Sequence, residues 1–160
     1  MLIRKARHDD DDAIWSILEP VLRAGETYAL PRDITRDEAL AYWKRGGNDV
    51  FVAEEDGRVV GTYYLRPNQA GGGSHVANCG YMTAPATQGK GVARAMLEHS
   101  LSHARTSGFC AMQFNFVVKS NARAVKTWLA YGFEIVGTLP RSFRHPQLGF
   151  VDAFVMYRDL

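Results

Sequence analysis

The chain has 160 residues, of which 46% are hydrophobic and 22% are charged, as expected for one globular domain. A net charge of +2 provides no basic surface of the kind that nucleic-acid binding needs. No apolar run is long enough to span a bilayer, and the charged N-terminal stretch lacks the apolar segment of a secretory signal. We therefore expect a cytoplasmic protein with neither a nucleic-acid nor a membrane partner.

The first third of the chain predicts one strand followed by two helices. Residues 2–7 form a short strand, and the acidic run 9–12 provides carboxylates that suit the positive end of a helix. Apolar residues at helical spacing continue from there as far as Gly25. Thr35 begins a second helix, because Glu38 follows three residues later as in a capping box.

The middle of the chain predicts a hairpin, a long strand and an amphipathic helix. Residues 49–67 hold two β-rich runs on either side of an Asp-Gly turn at 56–57. After a glycine-rich loop, residues 75–83 form a third long strand, in which Gly80 indicates a bulge. Residues 91–104 have the apolar spacing of a helix.

The last third of the chain alternates strands with one helix. Residues 111–118 form a nearly continuous apolar run, which is typical of a strand covered on both faces. Asn121 caps the next helix, and residues 133–139 and 150–158 are the last strands. The order βααβββαβαββ has no linker or repeat and predicts a single mixed α/β domain over residues 1–160.

The two cysteines, Cys79 and Cys110, both lie in apolar runs that are typical of strands. We expect them to be buried free thiols in a reducing compartment, and a structural disulfide is the alternative. No spacing of cysteine and histidine is typical of a metal site. The sequence therefore predicts no bound metal ion.

A glycine-containing segment lies between the third long strand and the helix that follows it. Residues 88–93, QGKGVA, fit neither the phosphate loop G-x-x-x-x-G-K-[ST] nor the dinucleotide pattern G-x-G-x-x-G. Glycines nevertheless let backbone N–H groups approach a ligand closely, and the first turn of a helix directs these donors at an anion. The segment therefore predicts either an anion-binding loop, to which Lys90 adds charge, or an ordinary strand-to-helix turn.

Three motifs in this order give the chain its resemblance to a known family. Q-x-x-G-x-A at residues 88–93, after a strand and Pro85, resembles motif A of the GCN5-related N-acetyltransferase (GNAT) superfamily. Asn121 to Ala124 resemble the N-x-x-A start of the next family helix, and residues 128–133 resemble its aromatic-x-x-x-G-F segment. The resemblance covers essentially the whole chain. It implies the GNAT fold, a mixed and mostly antiparallel sheet of roughly six to seven strands with a bulged, splayed strand pair and about four helices.

The resemblance implies acetyl-CoA as the cosubstrate and assigns residues to it. Pantetheine would pair like an added strand with the backbone of three residues: Tyr81, Met82 and Thr83. The pyrophosphate would be held by the loop residues Gln88, Gly89, Lys90, Gly91, Val92 and Ala93. The pantetheine arm would also contact three residues of the next helix: Asn121, Ala124 and Trp128.

Catalysis in the family is a direct attack of a neutral amine on the thioester, without a covalent acyl-enzyme. The backbone N–H of Tyr81 or Met82 would bind the oxyanion that develops during this attack. The tyrosine that often protonates the leaving thiolate is replaced here by Trp128, whose indole N–H is not a usable acid. Tyr131, one helical turn further on, is a candidate general acid, and protonation by water is the alternative.

Three segments resemble more specifically the yeast enzymes that N-acetylate toxic proline analogues such as azetidine-2-carboxylate, and their bacterial relatives. They are HVANCGYM, QFNFVVKSN and GTLPRSFRHPQLGFVDAFVMYRDL. Two asparagines bind the acceptor in that group, and the matching positions are Asn78 and Asn115. A bulge near Gly80 would bring Tyr81 to the side of Asn78 and into contact with the acceptor. The alternative is that both amides only satisfy backbone groups where the strands separate.

Other polar side chains are further candidates for the acceptor pocket. An acceptor carboxylate has three candidate partners: Arg66, Arg141 and Arg144. A catalytic base has two candidates: His75 and His145. Asp152 lies in an otherwise apolar strand, where it would either orient Arg141 or face the acceptor.

These features together predict an acetyl-CoA-dependent N-acetyltransferase. Its acceptor would be a small primary or secondary amine, either an amino acid or a toxic amino-acid analogue. The alternatives are a peptide or protein N-terminus, a polyamine or an antibiotic as acceptor, or a catalytically idle acyl-CoA-binding module. We also expect a homodimer to which the final strands contribute.

Overall fold

A computed structural model describes residues 1–160 and contains one sheet of seven strands, together with four helices. In chain order the elements are β1 (Leu2–Lys5), α1 (Asp11–Ala24), α2 (Arg36–Trp43), β2 (Asp49–Glu55), β3 (Arg58–Pro67), β4 (Val76–Thr83), α3 (Val92–Thr106), β5 (Ala111–Val118), α4 (Ala122–Ala130), β6 (Glu134–His145) and β7 (Gly149–Asp159). The predicted order of strands and helices is confirmed.

The sheet order is β1-β2-β3-β4-β5-β7-β6, and every neighbouring pair is antiparallel except β4 with β5. These two parallel strands share only two residue pairs, at Val76–Ala111 and Ala77–Met112. Beyond Ala77 the strands separate, so the rest of β4 has a neighbour on one side only. The predicted splayed strand pair is therefore present, and it opens a gap in the middle of the sheet.

The bulge predicted near Gly80 is not found in the β3–β4 ladder, which runs without a register shift along β4. Gly80 is needed for another reason: a Cβ at this position would lie 2.6 Å from Cε1 of the Tyr64 ring. The bulge lies instead in β5, where the register with β7 shifts between Phe114 and Val117. This bulge adds one residue to β5 between Phe114 and Val117. The polar side chain of Asn115 lies in the bulge and is exposed at the end of the gap.

Helices cover both faces of the sheet and produce two hydrophobic cores. The helices α3 and α4 bury apolar side chains such as Met96, Leu97 and Trp128 against one face. The helices α1 and α2 bury Ile17 and Trp43 against the other face. Because the gap between β4 and β5 lies between these layers, side chains from both helix pairs can reach it.

Local signals account for how several elements begin and turn. The predicted capping box at the start of α2 is confirmed, since Glu38 N–H donates to Thr35 Oγ1 at 3.3 Å and Thr35 N–H donates to Glu38 Oε2 at 2.9 Å. The predicted hairpin turn is also confirmed, with positive φ at Asp56 and Gly57. In the acidic run before α1, Asp10 is buried and accepts two hydrogen bonds from Arg4.

Two other expectations about the chain need correction. Cys79 is buried, but Cys110 is exposed and lies just before β5, so only one of the two free thiols is in the core. The strand predicted at 133–139 continues to His145, because an edge strand tolerates a proline that donates no hydrogen bond. None of the helices is both long and apolar enough to cross a membrane.

Candidate active site

Two cavities meet where β4 and β5 separate. The smaller cavity, of about 240 Å³, lies on the α1–α2 side and reaches Asn78 and Asn115. The larger cavity, of about 380 Å³, lies over the start of α3 and reaches Gln88. Six residues line both cavities and form the boundary between them: Thr27, Tyr28, Tyr81, Asn121, Ala124 and Trp128.

The free edge of β4 directs backbone groups into this junction. Val76 O accepts from Asn68 N at 2.7 Å and Ala84 N donates to Val60 O at 2.9 Å, so the even-numbered residues of β4 bond to β3. Backbone groups of successive strand residues point in opposite directions, and the odd-numbered residues therefore face the gap. Of the two predicted oxyanion donors, Tyr81 directs its N–H into the gap, whereas Met82 directs its N–H to β3. Thr83 faces the gap like Tyr81.

The loop before α3 presents backbone donors to the larger cavity. Gly89 and Gly91 both have positive φ, and Gly91 is the cap of α3. The N–H groups of Gly89, Gly91, Val92, Ala93 and Arg94 have no acceptor within the chain. Gly89 lies in the loop, and the other four donors lie at the cap and first turn of a 15-residue helix, an arrangement that can bind an anion.

The positive charge near this loop comes from residues other than the predicted one. Lys90 is exposed and does not line the larger cavity, although its neighbours on both sides do. Arg94, in the first turn of α3, and Arg123, in the first turn of α4, line the cavity instead. The sequence contained a signal for both arginines, since each lies within three residues of a predicted helix start.

The predicted contacts from α4 lie in the boundary between the cavities. Asn121 caps the helix, with its Oδ1 accepting from Ala124 N at 3.4 Å, and also lines both cavities, so both of its predicted roles are available. The Trp128 ring packs between Tyr81 and Phe114, at centroid distances of 5.3 Å and 5.0 Å. Trp128 therefore forms an apolar wall beside the free edge of β4.

Tyr131 does not line either cavity, so the structure does not bring it to the junction as a general acid. Its hydroxyl donates a hydrogen bond to Glu98, and the Arg94 guanidinium lies 5.8 Å from its ring centre. The bond to Glu98 raises the pKa of Tyr131, because it stabilises the protonated phenol. Tyr131 therefore lies outside the gap, although Trp128, three residues earlier, lines it. The residue spacing alone did not indicate this difference.

Tyr28 is a site residue that the sequence did not predict. It lies in the loop between α1 and α2, and its hydroxyl donates to the Tyr81 carbonyl oxygen at 3.0 Å. Burial is the main cause that raises the pKa of Tyr28 well above its ordinary value, and the neighbouring phenols Tyr64 and Tyr42 add to the effect. The phenol therefore stays protonated at the junction. The sequence offered only one signal for this role, which is that Tyr28 lies in a loop segment with apolar neighbours and no helical periodicity.

The two predicted asparagines take different positions. Asn78 is 5% exposed, donates from Nδ2 to Gln113 O at 3.0 Å and accepts from Arg66 Nε at 3.3 Å. Asn115 is exposed at the cavity mouth and donates from Nδ2 to Asn68 Oδ1 at 2.7 Å. Asn78 thus donates to a backbone carbonyl where the strands separate, which is the structural role given above as the alternative to acceptor binding. It also lines the smaller cavity together with Asn115.

Tyr81 and Asn78 lie on opposite faces of the sheet, because no bulge intervenes between them. The Tyr81 hydroxyl points toward α3 and lies 2.7 Å from Ser100 Oγ. Tyr81 nevertheless lines the smaller cavity. The prediction that a bulge brings the two side chains to one side is therefore wrong.

One buried thiol lines the smaller cavity. Burial raises the pKa of the Cys79 thiol to about 12, so it is not a thiolate near neutral pH. A thiol in this state is a poor nucleophile. The arrangement therefore supports direct transfer rather than a cysteine-linked acyl group.

Of the remaining candidates, Arg66 lines the smaller cavity, and the other five lie outside both cavities. Arg144 stacks its guanidinium on Phe150, at 5.2 Å from the ring centre. His145 accepts two backbone N–H bonds in the β6–β7 turn, and His75 is exposed before β4. Asp152 accepts from the Arg141 N–H at 2.9 Å, so it orients the Arg141 backbone and does not face an acceptor. No group of three acidic, cysteine or histidine side chains is arranged to hold a metal ion.

Comparison with known proteins places this site in a family. The family model described as Acetyltransferase (GNAT) family matches residues 12–133. N-acetyltransferase aca1 of Schizosaccharomyces pombe is 26% identical, and the match covers 84% of this chain and 72% of that protein. A GCN5-related N-acetyltransferase from Kribbella flavida has a TM-score of 0.94 at 39% identity, covering 99% of this chain and 97% of that one.

A third relative carries a ligand. The protein yncA from Salmonella typhimurium, whose structure includes its cofactor acetyl-CoA, has a TM-score of 0.86 at 25% identity. The match covers 100% of this chain and 94% of that one. The match of the family model to most of the chain, with relatives that share its whole fold, establishes that the chain belongs to the acetyltransferase (GNAT) family.

Proposed function

We propose that the protein transfers the acetyl group of acetyl-CoA to the amine of a small amino acid or amino-acid analogue. The observation that carries this proposal is the junction of two cavities at the free edge of β4, where the Tyr81 N–H faces the gap. One cavity has the donors that a pyrophosphate needs, and the other has amide groups suited to a small polar acceptor.

The larger cavity is the proposed site of acetyl-CoA. The unpaired N–H groups of the loop 88–93 would bind the pyrophosphate, with Arg94 and Arg123 adding positive charge. Pantetheine would continue along β4 as an added strand, paired with the backbone of Tyr81 and Thr83. The yncA structure, which has the same fold and includes acetyl-CoA, supports acetyl-CoA as the ligand.

The chain's own residues favour a direct transfer at the junction. Acetyl-CoA supplies an activated thioester, and the Tyr81 N–H would donate to the carbonyl oxygen as negative charge develops on it. The new bond joins the acceptor nitrogen to the acetyl carbon as the carbon–sulfur bond breaks. One proton leaves the nitrogen and one reaches the sulfur, with water as the carrier, because Trp128 cannot act as an acid and Tyr131 lies outside.

The dimensions of the smaller cavity support a small acceptor. A volume of about 240 Å³ lies below the range of roughly 300–1,000 Å³ that is usual for drug-sized ligands. The cavity is lined mainly by apolar and aromatic side chains, with Asn78 and Asn115 as its amide groups. This favours a free amino acid over a peptide N-terminus, a polyamine or an aminoglycoside-like antibiotic.

The proposal is tested by isothermal titration with acetyl-CoA and by CoA-thiol release across an amine panel. The panel contains azetidine-2-carboxylate, proline analogues, methionine derivatives, a polyamine, an antibiotic amine and a peptide. We expect acetyl-CoA binding and release with small amino acids. Failure to bind acetyl-CoA or CoA contradicts the proposal, and binding without release for any amine indicates an idle acyl-CoA-binding module.

The Asn115→Ala variant tests whether this residue contacts the acceptor. We expect a higher acceptor KM or a lower kcat, while acetyl-CoA affinity stays close to that of the wild type, because Asn115 lines only the smaller cavity. Gln113 hydrogen-bonds Asn115 but does not line the cavity, so Gln113→Ala is the matched control. An equal loss of acceptor and acetyl-CoA affinity in Asn115→Ala indicates a structural role instead.

We include a homodimer and a cytoplasmic location in the proposal. The edge strand β6 and the β6–β7 hairpin expose apolar side chains, which are Ile135, Val136, Leu139, Leu148 and Phe150, and a second copy would cover them. Light scattering should give about twice the chain mass of 17.8 kDa, and a monomer mass contradicts the dimer. Two free thiols, one of them exposed, suit a reducing compartment.

A further inference from the structure

Arg66, at the end of β3, is the one charged side chain that lines the smaller cavity. The other lining residues are apolar or aromatic, or carry hydroxyl, thiol or amide groups. Arg66 forms no ion pair with any acidic residue of the chain. The cavity therefore contains an uncompensated positive charge.

The guanidinium of Arg66 is held in place while most of its donors remain unused. Its Nε donates to Asn78 Oδ1 at 3.3 Å, and its carbon lies 5.0 Å from the centre of the Tyr64 ring. Nη1 is buried without a hydrogen-bond partner, and Nη2 makes no hydrogen bond within the chain. Only one of the five N–H donors of an arginine is thus satisfied.

An arginine in this state is suited to an anionic ligand. Arg66 is half-buried, and a buried polar atom such as its Nη1 normally has a hydrogen-bond partner. The planar guanidinium matches a carboxylate, which can accept two parallel hydrogen bonds from it. The same cavity extends from Arg66 to Tyr81, so one small molecule can contact the guanidinium and lie beside the Tyr81 N–H.

We propose that Arg66 binds the carboxylate of the acceptor and restricts the reaction to amines that carry a nearby anionic group. This inference rests on the proposed function and narrows its acceptor class. Asn78 is then a positioning residue, because its Oδ1 orients the guanidinium while its Nδ2 is anchored to Gln113 O. A polycationic acceptor is disfavoured, since no acidic side chain lines the cavity to offset the charge of Arg66.

The test compares each amino acid that the panel identifies with its carboxamide, which keeps the amine and removes the negative charge. The readout is the ratio of kcat/KM for the carboxylate to kcat/KM for the carboxamide, measured by CoA-thiol release. For the wild type we expect a ratio of at least about 30, as for loss of one partner of a buried, hydrogen-bonded charge pair. Arg66→Gln should bring the ratio close to one, and Arg66→Lys should restore part of it.

Arg144→Gln is the matched control, because it removes an exposed arginine outside both cavities. It should keep the wild-type ratio. Thermal unfolding of Arg66→Gln measures the loss of the Tyr64 contact separately, since a purely structural role lowers stability without changing the ratio. Titration of the amino acid into CoA-saturated protein gives a second readout, in which binding should weaken by the same factor in Arg66→Gln.

The outcomes separate this inference from the proposed function. If amino acids and their carboxamides react equally in the wild type, or if Arg66→Gln keeps the wild-type ratio, the role of Arg66 is wrong while acetyl transfer to amino acids stands. If only polyamines or peptides react, the proposed acceptor class and the role of Arg66 both fail. If no amine reacts, the proposed function fails, and equal amino-acid binding by wild type and Arg66→Gln also overturns the role of Arg66.

Discussion

The Tyr28 hydroxyl donates a hydrogen bond to the backbone carbonyl oxygen of Tyr81 over 3.0 Å. Tyr28 belongs to the loop between α1 and α2, and Tyr81 lies where β4 no longer pairs with β5. Both residues line both cavities, so this bond closes the loop over the free strand edge at the boundary between them. It leaves the Tyr81 N–H free for a ligand in the gap.

Tyr28→Phe should destabilise the protein and misalign the junction. The Tyr81 carbonyl would lose its partner, which costs about 1–3 kcal/mol and lowers Tm by roughly 2–12 °C for a chain of this size. We also expect kcat/KM for the acceptor to fall about tenfold, because small displacements of reacting groups reduce rates strongly. Calorimetry and steady-state kinetics measure the two effects.

Tyr157→Phe is the matched control for Tyr28→Phe. The hydroxyl of Tyr157 makes no hydrogen bond to a side chain and lines neither cavity, so its removal should change neither Tm nor kinetics appreciably. Wild-type Tm and kinetics in Tyr28→Phe would mean that the bond between Tyr28 and Tyr81 has no role in holding the loop.

Gly80→Ala should displace the aromatic ring beneath Arg66. The new Cβ would lie 2.6 Å from Tyr64 Cε1, and the ring has little room to move because it packs edge-on against Trp43 at 4.9 Å. Overpacking of this kind costs about 1–3 kcal/mol. Urea denaturation should give a lower midpoint, and the acceptor KM should rise because the Arg66 guanidinium lies over the displaced ring.

Gly46→Ala serves as the comparison for Gly80→Ala. A Cβ at Gly46 would meet no atom within 4 Å, so the denaturation midpoint and the acceptor KM should stay near the wild-type values. An unchanged denaturation midpoint in Gly80→Ala would show that the Tyr64 ring relaxes without cost.

The double variant Arg94→Gln/Arg123→Gln should weaken acetyl-CoA binding. Both arginines are exposed at the larger cavity, so we expect the KM for acetyl-CoA to rise roughly tenfold at low salt, about 0.7 kcal/mol for each charge. The difference from the wild type should shrink at high salt, because exposed charges are screened. Initial rates at varied acetyl-CoA and salt concentrations measure this.

Two lysines provide the comparison for the arginine pair. Lys90 and Lys126 are exposed and line neither cavity, so Lys90→Gln and Lys126→Gln should change the acetyl-CoA KM little. If Lys90→Gln raised the acetyl-CoA KM strongly and the arginine variants raised it little, Lys90 would supply the charge at the pyrophosphate, as the sequence predicted.

His99 should make the folded state less stable in mild acid. Its Nδ1 lies 2.7 Å from the Tyr63 hydroxyl, and burial, followed by the nearby His103, lowers the pKa of His99 below its ordinary value of 6.5. The unfolded chain therefore binds a proton at His99 more readily than the folded protein does. Neutral His99 therefore contributes fully to the free energy of unfolding above about pH 6.5. This contribution disappears as the pH falls through the lower pKa of His99 in the folded protein.

Urea denaturation at about pH 7.5 and about pH 5.5 measures this dependence. The midpoint of the wild type should fall more between these two conditions than that of His99→Gln, which has no proton to bind at this position. His75→Gln removes an exposed histidine and should behave like the wild type. An identical pH dependence in wild type and His99→Gln would assign the acid sensitivity to other groups.

The local parts of this site could be predicted from the sequence. Gly91 acts through its own backbone and Asn121 through its side-chain cap, each at the first turn of the helix that it begins, so a few neighbouring residues determine them. The order of strands and helices along the chain followed from apolar periodicity and turn residues for the same reason. The same local pattern leaves free N–H groups at Gly89 and at residues 91–94.

The parts that depend on distant neighbours could not be predicted. Gly80 indicated a bulge when read within its own strand, but its cause is the ring of Tyr64 on the next strand. Tyr28 becomes a site residue only because the separation of β4 and β5 opens a gap toward it. Arg66 was one of three candidate arginines, and only the fold shows that it lines the cavity while Arg141 and Arg144 do not. Cys110 was expected in the core because it adjoins an apolar run, yet the chain places it just before β5 begins.

The most direct test of the account identifies the product. Purified protein is incubated with acetyl-CoA and each member of the amine panel, and mass spectrometry detects N-acetylated product while a thiol reagent measures released CoA. We predict an N-acetylated small amino acid that forms in equal amount to the CoA released. Bound acetyl-CoA without acetylated product from any amine, or acetylation confined to peptides or polyamines, would contradict the account.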